Sequence, residues 1–181
     1  MYNLQGSGRR IINEEEYVAV FSNPLTRQIT EFIADIGIPV QSGEVSDHVI
    51  LPGILIDKGT LVVDETKLKY PGDLLHEAGH LAVMPGTQRN ILHNDVSKNA
   101  GDELAALAWS WAALVHLNLA PEVVFHPNGY KGDSDWLIDI FSNGGNIGVP
   151  LLQWMGLTAE PDKAEKLGWK AFPQMQRWLR E

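Results

Sequence analysis

The stretch that decides how this chain folds and what it can bind reads DLLHEAGHLAV, residues 73–83. Leucine, alanine and valine occupy several faces of the helix that this stretch predicts, which is typical of a buried helix. His76 and His80 are four residues apart, so the helix places both imidazoles on one face, one turn apart. Ionisable groups in a buried helix cost free energy unless something pairs with them. A bound metal ion is the partner that this spacing predicts.

Glu77 adds a second function to the same helix. It is rotated by about 100° from His76 around the helix axis, so its carboxylate can approach a water molecule on the metal without being a ligand. The pattern H-E-x-x-H is the signature of a zinc site in which two histidines bind the ion and the glutamate is the general base. We therefore predict a zinc-dependent hydrolase with Glu77 as its catalytic residue.

A catalytic zinc site needs a third protein ligand, and the absence of cysteine restricts that ligand to a histidine or a carboxylate. Glu103 lies 23 residues after His80, near the start of a long apolar stretch. It is the predicted ligand, on the precedent of zinc sites with two histidines and one glutamate, although stabilising the helix dipole is another role for it. Asp102, which points in another direction on the same helix, and His93, in the preceding loop, are the alternatives.

Several other residues are candidates for supporting roles. Ligating histidines usually donate their second N–H to a carboxylate or a carbonyl, and three acids are available for this: Asp64, Asp95 and Asp102. A peptidase also needs a donor for the negative charge that develops on the substrate carbonyl oxygen, and three residues are candidates: Tyr70, His126 and Tyr130. We expect His48 and His116 to be structural, and the six tryptophans, Trp109, Trp111 and Trp136 among them, to lie in the core.

The regions around the motif predict a mostly helical α+β fold with one small sheet before the motif helix. The sheet is a hairpin of strands at 49–56 and 60–64, joined by a turn at Asp57-Lys58-Gly59. Helices are expected from near Asn13, over 24–36, over about 100–119, over 134–143 and after Thr158. We interpret residues 1–181 as a single domain in which 120–181 form a helical C-terminal extension packed on the rest.

The composition excludes some classes of function. A net charge of −9, with scattered Lys and Arg, argues against nucleic-acid binding, which needs clustered cations. No stretch approaches the roughly 20 apolar residues that span a bilayer, so no membrane partner is expected. The N-terminal residues lack the apolar run of a signal peptide, and we expect a cytoplasmic location. The expected partner is a peptide or protein substrate.

A resemblance to a known family follows from two motifs. The pairing of HEAGH with a later Glu103-x-x-Ala106 resembles the gluzincin class of metallopeptidases. A strand at 61–64 leading into the motif helix, in so small a chain, is similar to the ImmA/IrrE-like minimal gluzincins over about residues 61–110. Trp109 matches an aromatic position of that family, whereas Leu107 and Ser110 depart from its E-x-x-A-N-x-F-A pattern. The resemblance implies a zincin-like fold, a Zn²⁺ cofactor and cleavage of peptide bonds.

Two other hypotheses remain open from the sequence. The chain is either a non-catalytic zinc-binding regulatory or interaction domain that keeps the HExxH constellation, or a helical module in which the motif is accidental. Bound metal separates the accidental motif from the other two hypotheses. A cleft beside Glu77 separates the enzyme from the non-catalytic domain.

Overall fold

The computed structural model describes residues 21–49, 51–92 and 99–181, together with the backbone of two short strands nearer the N-terminus. These residues form a mostly helical α+β fold, as predicted. The helices are α1 (Pro24–Asp35), α2 (Asp73–Val83), α3 (Gly86–Arg89), α4 (Ala100–His116), α5 (Ser134–Ser142), α6 (Val149–Trp154) and α7 (Ala164–Leu167), with 3₁₀ turns at Pro121–Val123 and Tyr130–Gly132. The strands are β1 (Arg10–Ile11), β2 (Tyr17–Val18), β3 (Val40–Ser42), β4 (Ile54–Asp57) and β5 (Thr60–Val63).

A three-stranded mixed sheet of order β3-β5-β4 precedes the motif helix. The antiparallel β4–β5 pair is the predicted hairpin, with Ile54 opposite Val63 and Asp57 opposite Thr60. Its first strand is shorter than predicted, because residues 51–53 form a turn around Pro52-Gly53. The parallel pairing of β3 with β5 was not predicted from the sequence. β4 is therefore an edge strand, and it lies on the side of the sheet where the cavity described below opens.

Helix α2, which carries the motif, packs along α4 more extensively than any other two elements pack together. Gly79 lies at their closest approach, because a Cβ built there would stand 3.0 Å from the carbonyl oxygen of Ala106 and 3.3 Å from Oγ of Ser110. The hydroxyl of Ser110 donates to that same carbonyl, with a separation of 2.7 Å. Glycine is thus the residue that lets the two backbones come this close.

The C-terminal end of α2 is held by two arginines from elsewhere in the chain. The backbone N–H of Arg180 donates to the carbonyl of Ala82 over 2.9 Å. The guanidinium of Arg89 donates to the carbonyl of Leu81 over 2.9 Å and to that of Met84 over 3.2 Å. The last carbonyls of a helix have no partner within the helix, so these contacts anchor the end of the motif helix.

Two predictions are wrong, and a third falls mainly outside the described residues. Tyr17–Val18 is a strand paired with Arg10–Ile11, so a helix from near Asn13 does not reach it, and residues 12–16 lie outside the described part. The helical region after Thr158 is a single turn, α7, and the preceding helix α6 was not predicted. The core assignment fails for Trp136 and Trp154, which are 54% and 72% exposed, although Trp109 and Trp111 are buried as expected.

Within the described residues, no helix combines the length and the apolar character needed to cross a bilayer. The core is a single cluster that runs from Phe21 to Met175 and includes apolar side chains of both α2 and α4. The division of the chain into a domain and an extension from residue 120 stays a prediction.

Candidate metal centre

Three side chains from α2 and α4 converge on one point. The Nε2 atoms of His76 and His80 are 3.1 Å apart. One carboxylate oxygen of Glu103 lies 3.4 Å from Nε2 of His76, and the other lies 3.2 Å from Nε2 of His80. Helix periodicity brings the two histidines together, and the packing of α4 on α2 adds the glutamate. The three residues are the predicted ligands.

These separations match the donor set of a tetrahedral metal site. Zn–N and Zn–O bonds of about 2.0–2.1 Å at tetrahedral angles place neighbouring ligand atoms about 3.4 Å apart. The separation of 3.1 Å between the two imidazole nitrogens is close to that value, and so are the separations of 3.2 and 3.4 Å from these nitrogens to the two oxygens of the Glu103 carboxylate. Two imidazole nitrogens facing each other this closely also need a shared electrophile or a shared proton between them. The residues therefore fit a small divalent ion.

The protonation states of His76 and Glu103 are those that a metal requires, namely neutral imidazole and ionised carboxylate. Burial, with the neighbouring His80 as a second cause, lowers the pKa of His76 to about 4. Its ring is thus neutral around pH 7 and offers a lone pair. The hydrogen bond with His80 holds the pKa of Glu103 below its usual range, against the effect of burial.

One of the alternative third ligands, Asp102, takes no part in this cluster. Asp102 precedes Glu103 on α4, but the group of potential ligands found among the described residues is His76, His80 and Glu103 alone. Adjacent helical residues point about 100° apart, so both acids cannot face the same point. His93 lies outside the described residues, and its candidacy stays a prediction.

Nδ1 of both His76 and His80 is buried without a hydrogen-bond partner among the described residues. Two of the three acids expected to serve there do not: Asp64 instead accepts hydrogen bonds from the backbone of Val45 and from Thr66, and no bond reaches the imidazoles from Asp102. The predictions for these two acids are wrong. Asp95 lies outside the described part of the chain.

Glu77 lines the cavity beside the two histidines, and it is not part of the ligand cluster. Burial, with the charges of Asp73 and Glu103 as lesser contributors, raises the pKa of Glu77 to about 7, while His80 opposes the shift. A carboxyl group with a pKa near neutrality can both accept and return a proton. Strongly shifted carboxyl groups in a cavity are typical of catalytic sites.

The cavity has a volume of about 710 Å³, and the three candidate oxyanion donors all line it. Tyr130 lies nearest the cluster, since its ring meets that of His76 edge-on with centroids 5.5 Å apart. The hydroxyl of Tyr130 is buried and has no hydrogen-bond partner in the part of the chain that the structure describes. Burial, reinforced by nearby carboxylates, raises the pKa of this phenol well above its usual value. It is therefore a protonated donor with an unused hydrogen.

Of the other two donor candidates, His126 is bonded to Asp73, whereas the hydroxyl of Tyr70 accepts a hydrogen bond and keeps its own hydrogen. Nε2 of His126 lies 2.9 Å from Oδ1 of Asp73, and both side chains are buried. The Tyr70 ring stacks on the His126 ring with centroids 3.7 Å apart, and its hydroxyl accepts a hydrogen bond from Asn128 over 2.7 Å. The contact of the Tyr130 ring with His76 favours Tyr130 as the donor.

Some residues of the cavity were missed or misjudged in the sequence. Asp73 precedes His76 by three residues and Glu77 by four, a spacing that places it on the same helix face, so this signal was available. His48, expected to be structural, is an exposed residue on the cavity wall. Lys69 and Lys131 also line the cavity, and no sequence pattern pointed to them. His116 contacts Phe32 and Trp178, in keeping with its expected structural role.

Comparison of the chain with models of known families, with curated proteins and with solved structures found no match.

Proposed function

We propose that this protein is a zinc-dependent hydrolase that cleaves amide bonds in peptides. His76, His80 and Glu103 would hold the ion, and Glu77 is the general base. The observation that carries the proposal is the convergence of two imidazoles and one carboxylate at separations of 3.1 to 3.4 Å, at the wall of a cavity that a carboxyl group of raised pKa also lines.

Zinc is proposed because of the chemistry of the donor set. Imidazole nitrogens suit zinc, whereas magnesium and calcium prefer sites built from oxygen ligands alone. Two histidines and a glutamate are a known ligand set for catalytic zinc, which keeps a further coordination position open. When bound, the ion lowers the pKa of water and polarises a substrate carbonyl.

The protein's own residues supply the proton transfers and the stabilisation of charge. Glu77 accepts the proton from the attacking water and delivers it to the departing amine, for which a pKa of about 7 is well matched. The hydroxyl of Tyr130, buried and unpartnered, donates a hydrogen bond to the carbonyl oxygen as negative charge develops there. The apolar wall of Leu51, Ile54 and Ile56 excludes bulk water from one side of the cavity.

Membership of a class of metallopeptidases is part of the same proposal. HEAGH together with Glu103-x-x-Ala106 supports a gluzincin-type peptidase similar to the ImmA/IrrE-like group. A peptide or protein substrate and a cytoplasmic location are further parts of the proposal, and the cytoplasmic location rests on the composition.

The proposal is tested by comparing wild type with Glu77→Gln for hydrolysis of a mixed peptide library and for zinc content. The variant keeps the size of the side chain but cannot accept the proton, so we expect the rate to fall by about 10²–10⁴-fold with zinc content unchanged. Glu31→Gln, at an exposed position of α1, is the matched control and should retain full activity. Equal rates for wild type and Glu77→Gln would reject the mechanism. A zinc-loaded wild type that cleaves no peptide would favour the non-catalytic zinc-binding domain.

A further inference from the structure

We propose that the cavity contains a carboxylate-binding subsite formed by Lys131 with Lys69, and that it selects short peptides carrying a carboxylate close to the scissile amide. The evidence for the subsite is the charge and the geometry of the cavity wall. Only the identity of the scissile bond rests on the proposed function.

The first argument is the charge of the cavity wall. The chain has 23 acidic and 14 basic residues, so a cavity in an average part of its surface would repel an anion. Yet Lys69 and Lys131 both line this cavity. Neither makes an ion pair with an acid within the described residues, and Lys69 instead lies over the Tyr70 ring, 5.2 Å from its centroid. Two ammonium groups are therefore available to a ligand.

The second argument is that the acids lining the same cavity already have partners or roles. Asp73 is bonded to His126 over 2.9 Å. Glu103 lies against the two histidines at 3.2 and 3.4 Å, and Glu77 is half-buried beside them as the proposed general base. None of the three is paired with either lysine. The lysines are thus the unmatched charges of the wall.

The third argument is how Lys131 is held. Tyr130 and Lys131 have φ angles of 53° and 54°, a left-handed conformation that costs free energy in residues other than glycine. Strain of this kind is retained where the surrounding structure requires a particular side-chain direction. The two residues are consecutive, and the centroid of the Tyr130 ring lies 5.5 Å from that of the His76 ring. Lys131 is therefore held close to the metal centre.

The remaining walls indicate the rest of the ligand. Leu51, Ile54 and Ile56 form an apolar wall, which suits an aliphatic or aromatic side chain. A volume of about 710 Å³ is within the range of small-ligand pockets, which hold a few residues rather than a folded protein. A ligand with an apolar side chain beside a carboxylate is either the C-terminal end of a short peptide or a peptide in which an acidic residue is next to an apolar one.

The test measures binding with a variant that does not turn substrate over. Three peptides are titrated by calorimetry into zinc-loaded Glu77→Gln protein: N-acetyl-Leu-Leu as the free acid, the same peptide as its amide, and N-acetyl-Leu-Glu amide. The titrations are repeated with two double variants, in which Lys131→Gln or Lys58→Gln is combined with Glu77→Gln. Lys58 is a matched control, because it is an exposed lysine with a φ of 49° that does not line the cavity.

We expect the free acid to bind about tenfold more tightly than its amide, as one charge-assisted hydrogen bond would give at a partly exposed site. Lys131→Gln should abolish this preference, and Lys58→Gln should keep it. Tight binding of the Leu-Glu amide would assign the carboxylate to a side chain, and weak binding would assign it to the chain terminus. Equal binding of acid and amide, or equal losses in the two lysine variants, would overturn the subsite.

Hydrolysis of the same peptides by wild type separates this inference from the proposed function. A preference for the acid without any hydrolysis would leave the subsite standing and reject the hydrolase. Hydrolysis of both peptides, together with equal binding of acid and amide, would support the hydrolase and reject the subsite.

Discussion

Oε2 of Glu103 lies 3.2 Å from Nε2 of His80, although the two residues belong to different helices and are 23 positions apart in the chain. This contact exists because α2 and α4 pack closely at Gly79, where no side chain separates the backbones. The candidate metal centre is therefore a product of a helix–helix interface. Its geometry should respond to any change that moves the two helices apart.

Replacing Glu103 by Gln should weaken zinc binding by at least about 100-fold, since loss of a ligand exceeds the 10–100-fold effect of groups that only orient ligands. Asp102→Asn is the matched control, because it removes the same charge from the adjacent position of α4. It should change the zinc dissociation constant by no more than a few fold. Competition with a chromogenic chelator measures both constants. The opposite ranking would assign the third ligand to Asp102.

Replacing Gly79 by Ala should weaken zinc binding roughly tenfold, the lower end of the effect of groups that position ligands. The new Cβ would lie 3.0 Å from the Ala106 carbonyl, so α4 must shift away and carry Glu103 with it. Gly86→Ala is the control, since it is another helical glycine and its Cβ would meet nothing closer than 3.8 Å. Chelator competition measures the zinc affinity of both variants. Unchanged affinity in Gly79→Ala would contradict the prediction and show that the interface accommodates a Cβ without moving Glu103.

Replacing Tyr130 by Phe should lower kcat by about 10²–10³-fold, the loss typical of one oxyanion donor, with zinc content unchanged. Stability should stay the same or rise, because the hydroxyl is buried without a partner and its desolvation is not compensated. Tyr70→Phe, which removes a hydroxyl bonded to Asn128, should affect kcat much less. Steady-state kinetics and thermal melts of both variants are the measurements. A larger effect from Tyr70→Phe would move the donor role to that residue.

Removing zinc with a chelator should lower the melting temperature. Free zinc at 100 times its dissociation constant stabilises the folded state by about 2.7 kcal/mol, which corresponds to roughly 5–10 °C for a chain of this size. Melting curves with and without chelator measure the shift, and elemental analysis should show about one zinc per chain. His76→Asn should show no shift, whereas His48→Asn, at a cavity histidine outside the ligand group, should show the wild-type shift.

Local sequence determined the parts of this protein that depend on short-range geometry. The spacing of His76, Glu77 and His80 placed two imidazoles on one helix face with a carboxylate beside them, because every helix has the same periodicity. The same kind of evidence predicted α1 and the hairpin with its turn at Lys58-Gly59. In the structure, Asn23 caps α1 by accepting hydrogen bonds from the first turn. These features depend on neighbours within a few residues, so their signals are contained in the residues themselves.

Tertiary structure decided what lies between distant segments. The choice of Glu103 over Asp102 follows from the rotation of α4 against α2, which depends on packing at Gly79. The contact of His126 with Asp73, 53 residues away, and the placing of Tyr130 and Lys131 on the cavity wall have no local signal. The exposure of Trp136 likewise reflects which face of α5 meets the core. Such relations arise from the burial of apolar surface between elements, which depends on total shape and area rather than on residue spacing.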